Sequence, residues 1–360
     1  MDLEFAPEQR ELMAAVRRFC DENIDGERLL RWEKNPGGID DATWEEVTRL
    51  GWLGIGAPES AGGSGLGLLD VGCLLFECAR GLVPTLVSHS VRAIWTLSRL
   101  EPEAPELPDL VAGRRRLALA VDEEATSRPE HFRTRVDSAS GRLDGEKWYV
   151  PHADVADLFL VAVRDGGETA WALVGRDRVE VLPLRSFVTG ETQGIVRFRG
   201  SEGRRLARPD FPFEQFRKEQ TALALAEMVG GFERVLERTV AYVKEREQFG
   251  RKIGAFQAVQ HQVADMATAF TASRHLSWQA LSRVASGHEE PIDLPAAAAF
   301  VGQAFKRATM TAHHLHGGAG YVVEHPLHHH SERAQSLCIR YTPEREALES
   351  VATLLLDTPR

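Results

Sequence analysis

A helical segment, a β module and a second helical segment, in that order, predict an α+β multidomain fold. The expected parts are an N-terminal helical domain over residues 1–113, a central β-barrel-like domain over 114–206 and a C-terminal four-helix bundle over 207–360. Three observations carry this. Apolar residues recur at helical spacing in the first and last thirds of the chain. Between Leu117 and Phe198 they come instead in short runs cut by glycine. The two kinds are blocked rather than alternating, which excludes a βαβ sheet.

Taken in order, Leu12, Ala15, Val16 and Phe19 mark a first helix after Pro7. A second is expected from Asp41 to Leu50, then a glycine-rich turn from Pro58 to Gly65. A third runs from Leu69 to Arg80 and closes at Gly81; a fourth spans Ser88 to Leu100. Glu101 to Pro108, rich in proline and acid, reads as a connection. Strands are expected at Leu117–Val121, Trp148–Val150, Leu158–Val163, Trp171–Val174, Val179–Leu182 and Ile195–Phe198. Long helices follow over Gln215–Arg246, Phe256–Ser286 and Leu294–His316, and Glu344–Leu356 closes the chain. Long antiparallel helices with short connections form bundles.

The composition narrows the function. A net charge of −10 argues against a nucleic-acid partner, which wants a basic surface. The polar, amphipathic start is neither a signal nor a transit sequence. No apolar run reaches the roughly 18 residues of a spanning helix, so no membrane is expected. Cys20, Cys73, Cys78 and Cys338 show no disulfide framework, and a reduced cytoplasmic protein is the simpler reading.

Two stretches carry chemistry. Arg246 ends a long helix and is followed by Phe249-Gly250 and Gly254, with Gln257 in the first turn of the next helix. An arginine in such a turn suits a pyrophosphate through charge-assisted bonds. The same residues also read as a helical hairpin with a basic loop. In His316-Gly317-Gly318-Ala319-Gly320-Tyr321, three glycines in four positions make a side-chain-free surface that fits a flat cofactor edge. A helix C-cap followed by a turn would look the same. His328-His329-His330 is not expected to hold a metal, because consecutive residues on a helix point about 100° apart.

The order of these pieces resembles the acyl-CoA dehydrogenase family over nearly the whole chain. Trp52-Leu53-Gly54, Pro58-Glu59, Gly62-Gly63-Ser64-Gly65 and Glu77 resemble its first helical domain. Gly145-Glu146-Lys147-Trp148-Tyr149-Val150 with Ala153 and Ala156-Asp157 resembles its β-domain strand and turn. Arg246-x-x-Phe249-Gly250 with Phe256-Gln257 resembles its helix-to-helix motif, and His316-Gly317-Gly318-x-Gly320-Tyr321 with Glu324-His325-Pro326 its glycine motif. The resemblance implies FAD as cofactor and α,β-dehydrogenation of an acyl-CoA thioester, with an electron-transfer acceptor downstream. A carboxylate takes the α-proton in that reaction. It also implies a dimer or tetramer, in which Arg246, Phe249, Ile253, Gln257, His314, Gly317 and Gly318 serve the FAD of a neighbouring subunit.

The match fails at the base. Family members carry the glutamate 24 residues after the first glycine of the pair or 26 residues before the motif arginine. Those positions hold Tyr341 and Gln220. An amide cannot act as a base, and tyrosine has an ordinary pKa of about 10. Glu219 and Glu227 are the nearby acids, one turned about 100° from Gln220 and the other about 10 Å further along the helix. The expected own-subunit flavin loop is also altered. In Asp122-Glu123-Glu124-Ala125-Thr126-Ser127-Arg128-Pro129 only Glu123 matches, and Pro151 and Pro343 replace threonines. The pattern points to a non-catalytic subunit that completes the FAD site of a base-carrying homologous partner. Family heteromers of this kind act on steroid side-chain CoA thioesters in actinobacteria. A self-sufficient homo-oligomer with a relocated acid and a non-redox scaffold are the other two readings.

Overall fold

In the computed structural model, which describes residues 5–137, 139–206 and 211–356, helices give way to strands and strands to helices. Six helices come first: α1 (Pro7–Asn23), α2 (Gly26–Trp32), α3 (Asp41–Arg49), α4 (Leu68–Arg80), α5 (Thr85–Leu100) and α6 (Leu107–Val111). The strands are β1 (Leu117–Ala120), β2 (Arg135–Asp137), β3 (Arg142–Pro151), β4 (Leu158–Asp165), β5 (Glu168–Gly175), β6 (Glu180–Leu184), β7 (Gln193–Glu202) and β8 (Arg204–Leu206). Helix α7 (Phe213–Glu245), about 50 Å long, leads into a small ladder of β9 (Glu247–Gln248) and β10 (Arg251–Lys252). Helices α8 (Gln257–Ser286), α9 (Asp293–His316), α10 (Leu327–Tyr341) and α11 (Glu344–Leu356) complete the chain. The boundary expected after residue 206 falls on residues 207–210, outside the described residues.

Local chemistry sets these bounds. Pro7 occupies the first position of α1, where its missing N–H costs nothing. The Asp40 carboxylate accepts from the Thr43 N–H at 2.7 Å and caps α3. Gly287, at φ +69, ends α8 in the left-handed conformation that favours glycine. The stretch 101–108 is not only a connection. Its last two residues begin α6, because Pro108 falls in the helix's first turn and does not break it.

By internal packing the chain forms two compact units. One comprises residues 31–67 and 84–216, the other residues 1–30, 68–83 and 217–360. The N-terminal helices are therefore shared out between them.

In the first unit a single sheet runs β6-β7-β3-β2-β4-β5-β8, with β1 parallel to the first half of β4. Its inner face forms one core, from Leu143 and Val150 on β3 through Phe159, Val161 and Val163 on β4 to Ala172, Val174, Val196 and Phe198. Strands distant in the sheet share this core, so the sheet curls on itself. Strand β4 is buried on both faces from Leu158 to Val163, which is why it reads as an unbroken apolar run.

In the second unit α1, α4 and α7 are joined by packing and charge. Gly230 of α7 sits so close to α4 that an added Cβ would lie 2.0 Å from the Phe76 carbonyl oxygen. Arg17 grips the fully buried Glu77 through two bonds of 2.7 and 3.0 Å, and Arg80 reaches Glu233 and Glu237. Helices α8, α10 and α11 all pack on α9. All four cysteines are buried and unbridged. Burial pushes the Cys20 and Cys73 thiols up to about 12, so they stay protonated and inert. No described helix is long and apolar enough to cross a membrane.

Candidate functional site

The first candidate region lies where α7 and α9 end. After α7 the chain reverses through Phe249 and Gly250, whose φ values of +56 and +77 are those of a two-residue hairpin turn joining β9 to β10. A phenylalanine in the left-handed region is strained and needs support from its surroundings. The Arg246 N–H donates to the Tyr242 carbonyl and the Ile253 N–H donates to the Arg246 carbonyl, both at 2.8 Å. Gly254 lies so near α7 that a Cβ would sit 2.8 Å from the Val243 carbonyl oxygen. The loop is thus fixed, and it holds the Phe249 side chain 93% exposed, edge-on to Phe256 at 6.1 Å. The Arg251 guanidinium covers the Phe256 ring at 4.0 Å. Arg246 and Gln257 are exposed and Ile253 is half-buried; Gln257 is the first residue of α8.

Helix α9 is drawn to the same end. Tyr242 stacks on His316 with ring centroids 4.3 Å apart, and its hydroxyl donates to the His316 carbonyl at 3.2 Å. His313 bonds Ser331 at 2.8 Å and lies 4.9 Å from the Tyr321 ring. These contacts brace the turn from Gly317 to Tyr321. His314 is exposed in the last turn of α9. A Cβ on Gly317 or Gly318 would meet nothing within 4 Å, so a bare backbone surface faces open space. The structure therefore gathers Arg246, Phe249, Ile253, Gln257, His314, Gly317 and Gly318 at one end of the bundle.

The charge here comes from arginine and lysine rather than histidine. Burial pushes His313 and His316 below the usual imidazole range. His325 is pushed down to about 4, by burial first and then by the neighbouring His316 and Arg238. At neutral pH these rings are uncharged, which leaves Arg246, Arg251 and Lys252 as the cations of the loop.

The helices that carry the two expected base positions also touch, far up α7. The Thr221 hydroxyl donates to the Tyr341 carbonyl at 3.1 Å, so α7 beside Gln220 touches the end of α10 at Tyr341. Twenty-six residues of α-helix separate this place from Arg246, about 39 Å. Gln220 and Glu219 are buried there. Glu227 is buried further along the same helix.

In the sheet-containing unit, Glu123 is a structural latch. Its carboxylate accepts from the Arg133 and Thr134 N–H groups at 2.7 and 2.9 Å and from Lys147 Nζ at 3.0 Å. Lys147 is fully buried, also bonds the Val121 carbonyl at 2.9 Å and lies 3.5 Å from the Phe132 ring centre. Burial pushes its ammonium down to about 8, with Glu123 opposing. The Glu123 carboxyl is lowered: burial raises it, but Lys147 and the backbone donors outweigh that. Sequence reasoning missed Lys147. Its parity with the inward Leu143 on β3 was the available signal. Beyond it a register shift, with Tyr149 at φ +54, turns the Tyr149 ring outward and returns Val150 to the core. Pro151 is buried at the end of β3 and has no N–H to offer a ligand.

Comparison with known proteins gives two family matches. Residues 6–104 match the N-terminal domain of the acyl-CoA dehydrogenases and residues 214–340 their C-terminal domain. Acyl-CoA dehydrogenase FadE27 of Mycobacterium tuberculosis is 30% identical over 379 aligned residues, covering 100% of both chains.

The chain belongs to the acyl-CoA dehydrogenase family.

Acyl-CoA dehydrogenase IpdE2 of the same organism is 28% identical, with 89% of each chain covered. Among solved structures, the ChsE4-ChsE5 complex from Mycobacterium tuberculosis is 29% identical, with 100% of each chain covered and a TM-score of 0.88. A variant of the Tcur3481-Tcur3483 steroid ACAD is 27% identical, covers 97% of this chain and 98% of its own, and has a TM-score of 0.89. FAD is the cofactor that this membership brings. The residues at the end of the bundle suit it. The backbone at Gly317 and Gly318 presents a bare surface to open space, and a cationic loop lies at the same end.

Proposed function

We propose that this acyl-CoA dehydrogenase is the non-catalytic subunit of a heteromer and completes the FAD site of a base-carrying homologous partner. Arg246 would bind the pyrophosphate, with Phe249, Ile253 and Gln257 along the adenosine and His314, Gly317 and Gly318 beneath it. The observation that carries this reading is the meeting of α7 and α10 at Thr221–Tyr341. The resemblance puts the base at Gln220 or Tyr341, on the two helices that touch here, and neither residue can take an α-proton at neutral pH. The cofactor-facing end, by contrast, is open and cationic.

When bound, FAD would supply the hydride-accepting chemistry of acyl-CoA oxidation and the link to an electron-transfer acceptor. This chain's part is to hold the cofactor's charged and aromatic portions in place for its partner. The names of the relatives support the assembly and the substrate class, since one is a complex of two differently named chains and another is called a steroid ACAD.

The test is the visible absorbance and size of the chain purified alone and with the partner. A colourless chain that turns yellow only in the complex supports the proposal. A yellow homo-oligomer with stoichiometric flavin overturns it, and Glu219→Gln and Glu227→Gln would then locate the relocated base. A chain that never takes up flavin would leave the scaffold reading. In the complex, Arg246→Ala is expected to weaken FAD binding about 10- to 150-fold. It removes a charge-assisted bond worth about 1.5–3 kcal/mol. Unchanged flavin retention in that variant would move Arg246 away from the pyrophosphate.

A further inference from the structure

Three side chains far apart in sequence meet inside the sheet-containing unit. His89 lies on the second turn of α5, His152 directly follows β3, and Glu191 precedes β7 by two residues. One ligating atom from each lies within 4.8 Å of the other two. His152 and Glu191 are buried, and the His89 side chain is 19% exposed. The imidazole centroids are 5.6 Å apart, and His89 Nε2 lies 3.2 Å from Glu191 Oε2.

Two of these groups, Glu191 and His152, are oriented from behind. Gln193 Nε2 donates to Glu191 Oε1 at 2.9 Å, which turns Oε2 towards His89. Thr192 spends its hydroxyl proton on Asp154, so its oxygen can only accept from His152 Nδ1, 3.5 Å away. The His152 proton therefore sits on Nδ1 and the lone pair on Nε2, which lies 3.0 Å from Thr85 Oγ1. The His152 backbone is held at φ +52, with its N–H donating to the Thr192 carbonyl at 2.8 Å. Left-handed non-glycine residues persist only where the surroundings impose them. Outer partners that fix tautomer and ring direction are a hallmark of histidine metal ligands.

We propose that His89, His152 and Glu191 bind one divalent transition cation of the zinc class. Two neutral imidazoles and one carboxylate make a nitrogen-rich donor set with a single negative charge. That set favours zinc, cobalt or nickel over the oxygen-seeking magnesium and calcium. In a tetrahedral site, ligands about 2.0–2.2 Å from one ion lie about 3.3–3.6 Å apart. The present spread of up to 4.8 Å closes with side-chain movements of about 1 Å. On binding, His89 takes the tautomer with its proton on Nδ1, and the ion replaces the Thr85 hydroxyl at His152 Nε2. Three protein ligands leave a fourth position for water. The ion would tie α5 to the chain just after β3 and just before β7.

The test uses the full chain, with its partner subunit if it needs one, stripped by a chelator. It is titrated with Co²⁺ by visible difference absorption and with Zn²⁺ by calorimetry. One equivalent is expected to bind. His152→Asn, which tolerates the left-handed backbone, and Glu191→Gln should each weaken binding at least about 100-fold, the upper end of what losing even an outer partner does. His328→Ala, on the histidine-rich α10, should leave it unchanged. No saturable binding, equal affinity in the His152 and Glu191 variants, or loss in His328→Ala would each overturn the site. If those variants fail to fold, X-ray absorption of the Zn²⁺-loaded wild type decides. Two imidazoles in a mixed nitrogen and oxygen shell support it, and any other imidazole count sinks it.

Discussion

Glu123→Gln is expected to lower the unfolding free energy by about 3–5 kcal/mol near pH 7, as breaking a buried ion pair does. The substitution keeps the shape and removes the charge, which leaves the fully buried Lys147 ammonium without its counter-ion. The pH dependence distinguishes this cause from a packing defect. Lys147 has a folded pKa of about 8 against about 10.4 unfolded. Between those values the folded state releases a proton that the unfolded chain keeps, so the cost of burying this charge fades as pH rises. Glu123 works in the opposite window. Its folded pKa is depressed, so its stabilisation is present above the ordinary carboxylate range and lost as pH falls through the folded value. The gap between wild type and variant should therefore be widest between about pH 5 and 8 and narrow on both sides. Denaturant titrations at pH 7 and 10 would show the alkaline side. A gap of equal size at both would mean that charge is not the cause.

Gly230→Ala is expected to destabilise by about 3 kcal/mol, the upper end of the usual cost of overpacking. Helix propensity alone favours the alanine by about 1 kcal/mol. The steric term wins because the new methyl would lie 2.0 Å from the Phe76 carbonyl oxygen, which is backbone and cannot rotate away. Helices α4 and α7 would have to part. Gly318→Ala, which meets open space, serves as the control and should leave unfolding unchanged. Equal midpoints for the two variants in thermal denaturation would contradict the close approach.

The layout of the chain was legible because each block has its own period. The bounds of α7, α8, α9 and α11 fall within two residues of the sequence reading, since long amphipathic stretches fix them. Short elements were lost. Helix α2 has only seven residues, and α6 begins in a stretch whose three prolines and acids look like a loop. The residues gathered at the bundle end stand out in the sequence because they lie in two contiguous motifs. What binds those motifs together was not legible, since nothing in the spacing shows that Tyr242 will stack on His316. Glu123 was noticed as a remnant of a flavin loop, yet its partner Lys147 lies twenty-four residues away and is found only by following strand parity. The His89, His152 and Glu191 cluster is assembled by a helix and two strand ends, and no local pattern announces it.

The hairpin at Phe249 has a consequence for the thermodynamics of assembly. Its backbone is already locked by the Arg246, Ile253 and Gly254 contacts before any partner arrives. A loop that must order on docking gives up conformational entropy at that moment, and this loop has little left to give up. The strain of holding a phenylalanine in the left-handed region is met during folding, within the chain itself. Whatever covers the Phe249 ring therefore gains nearly the full free energy of burying it.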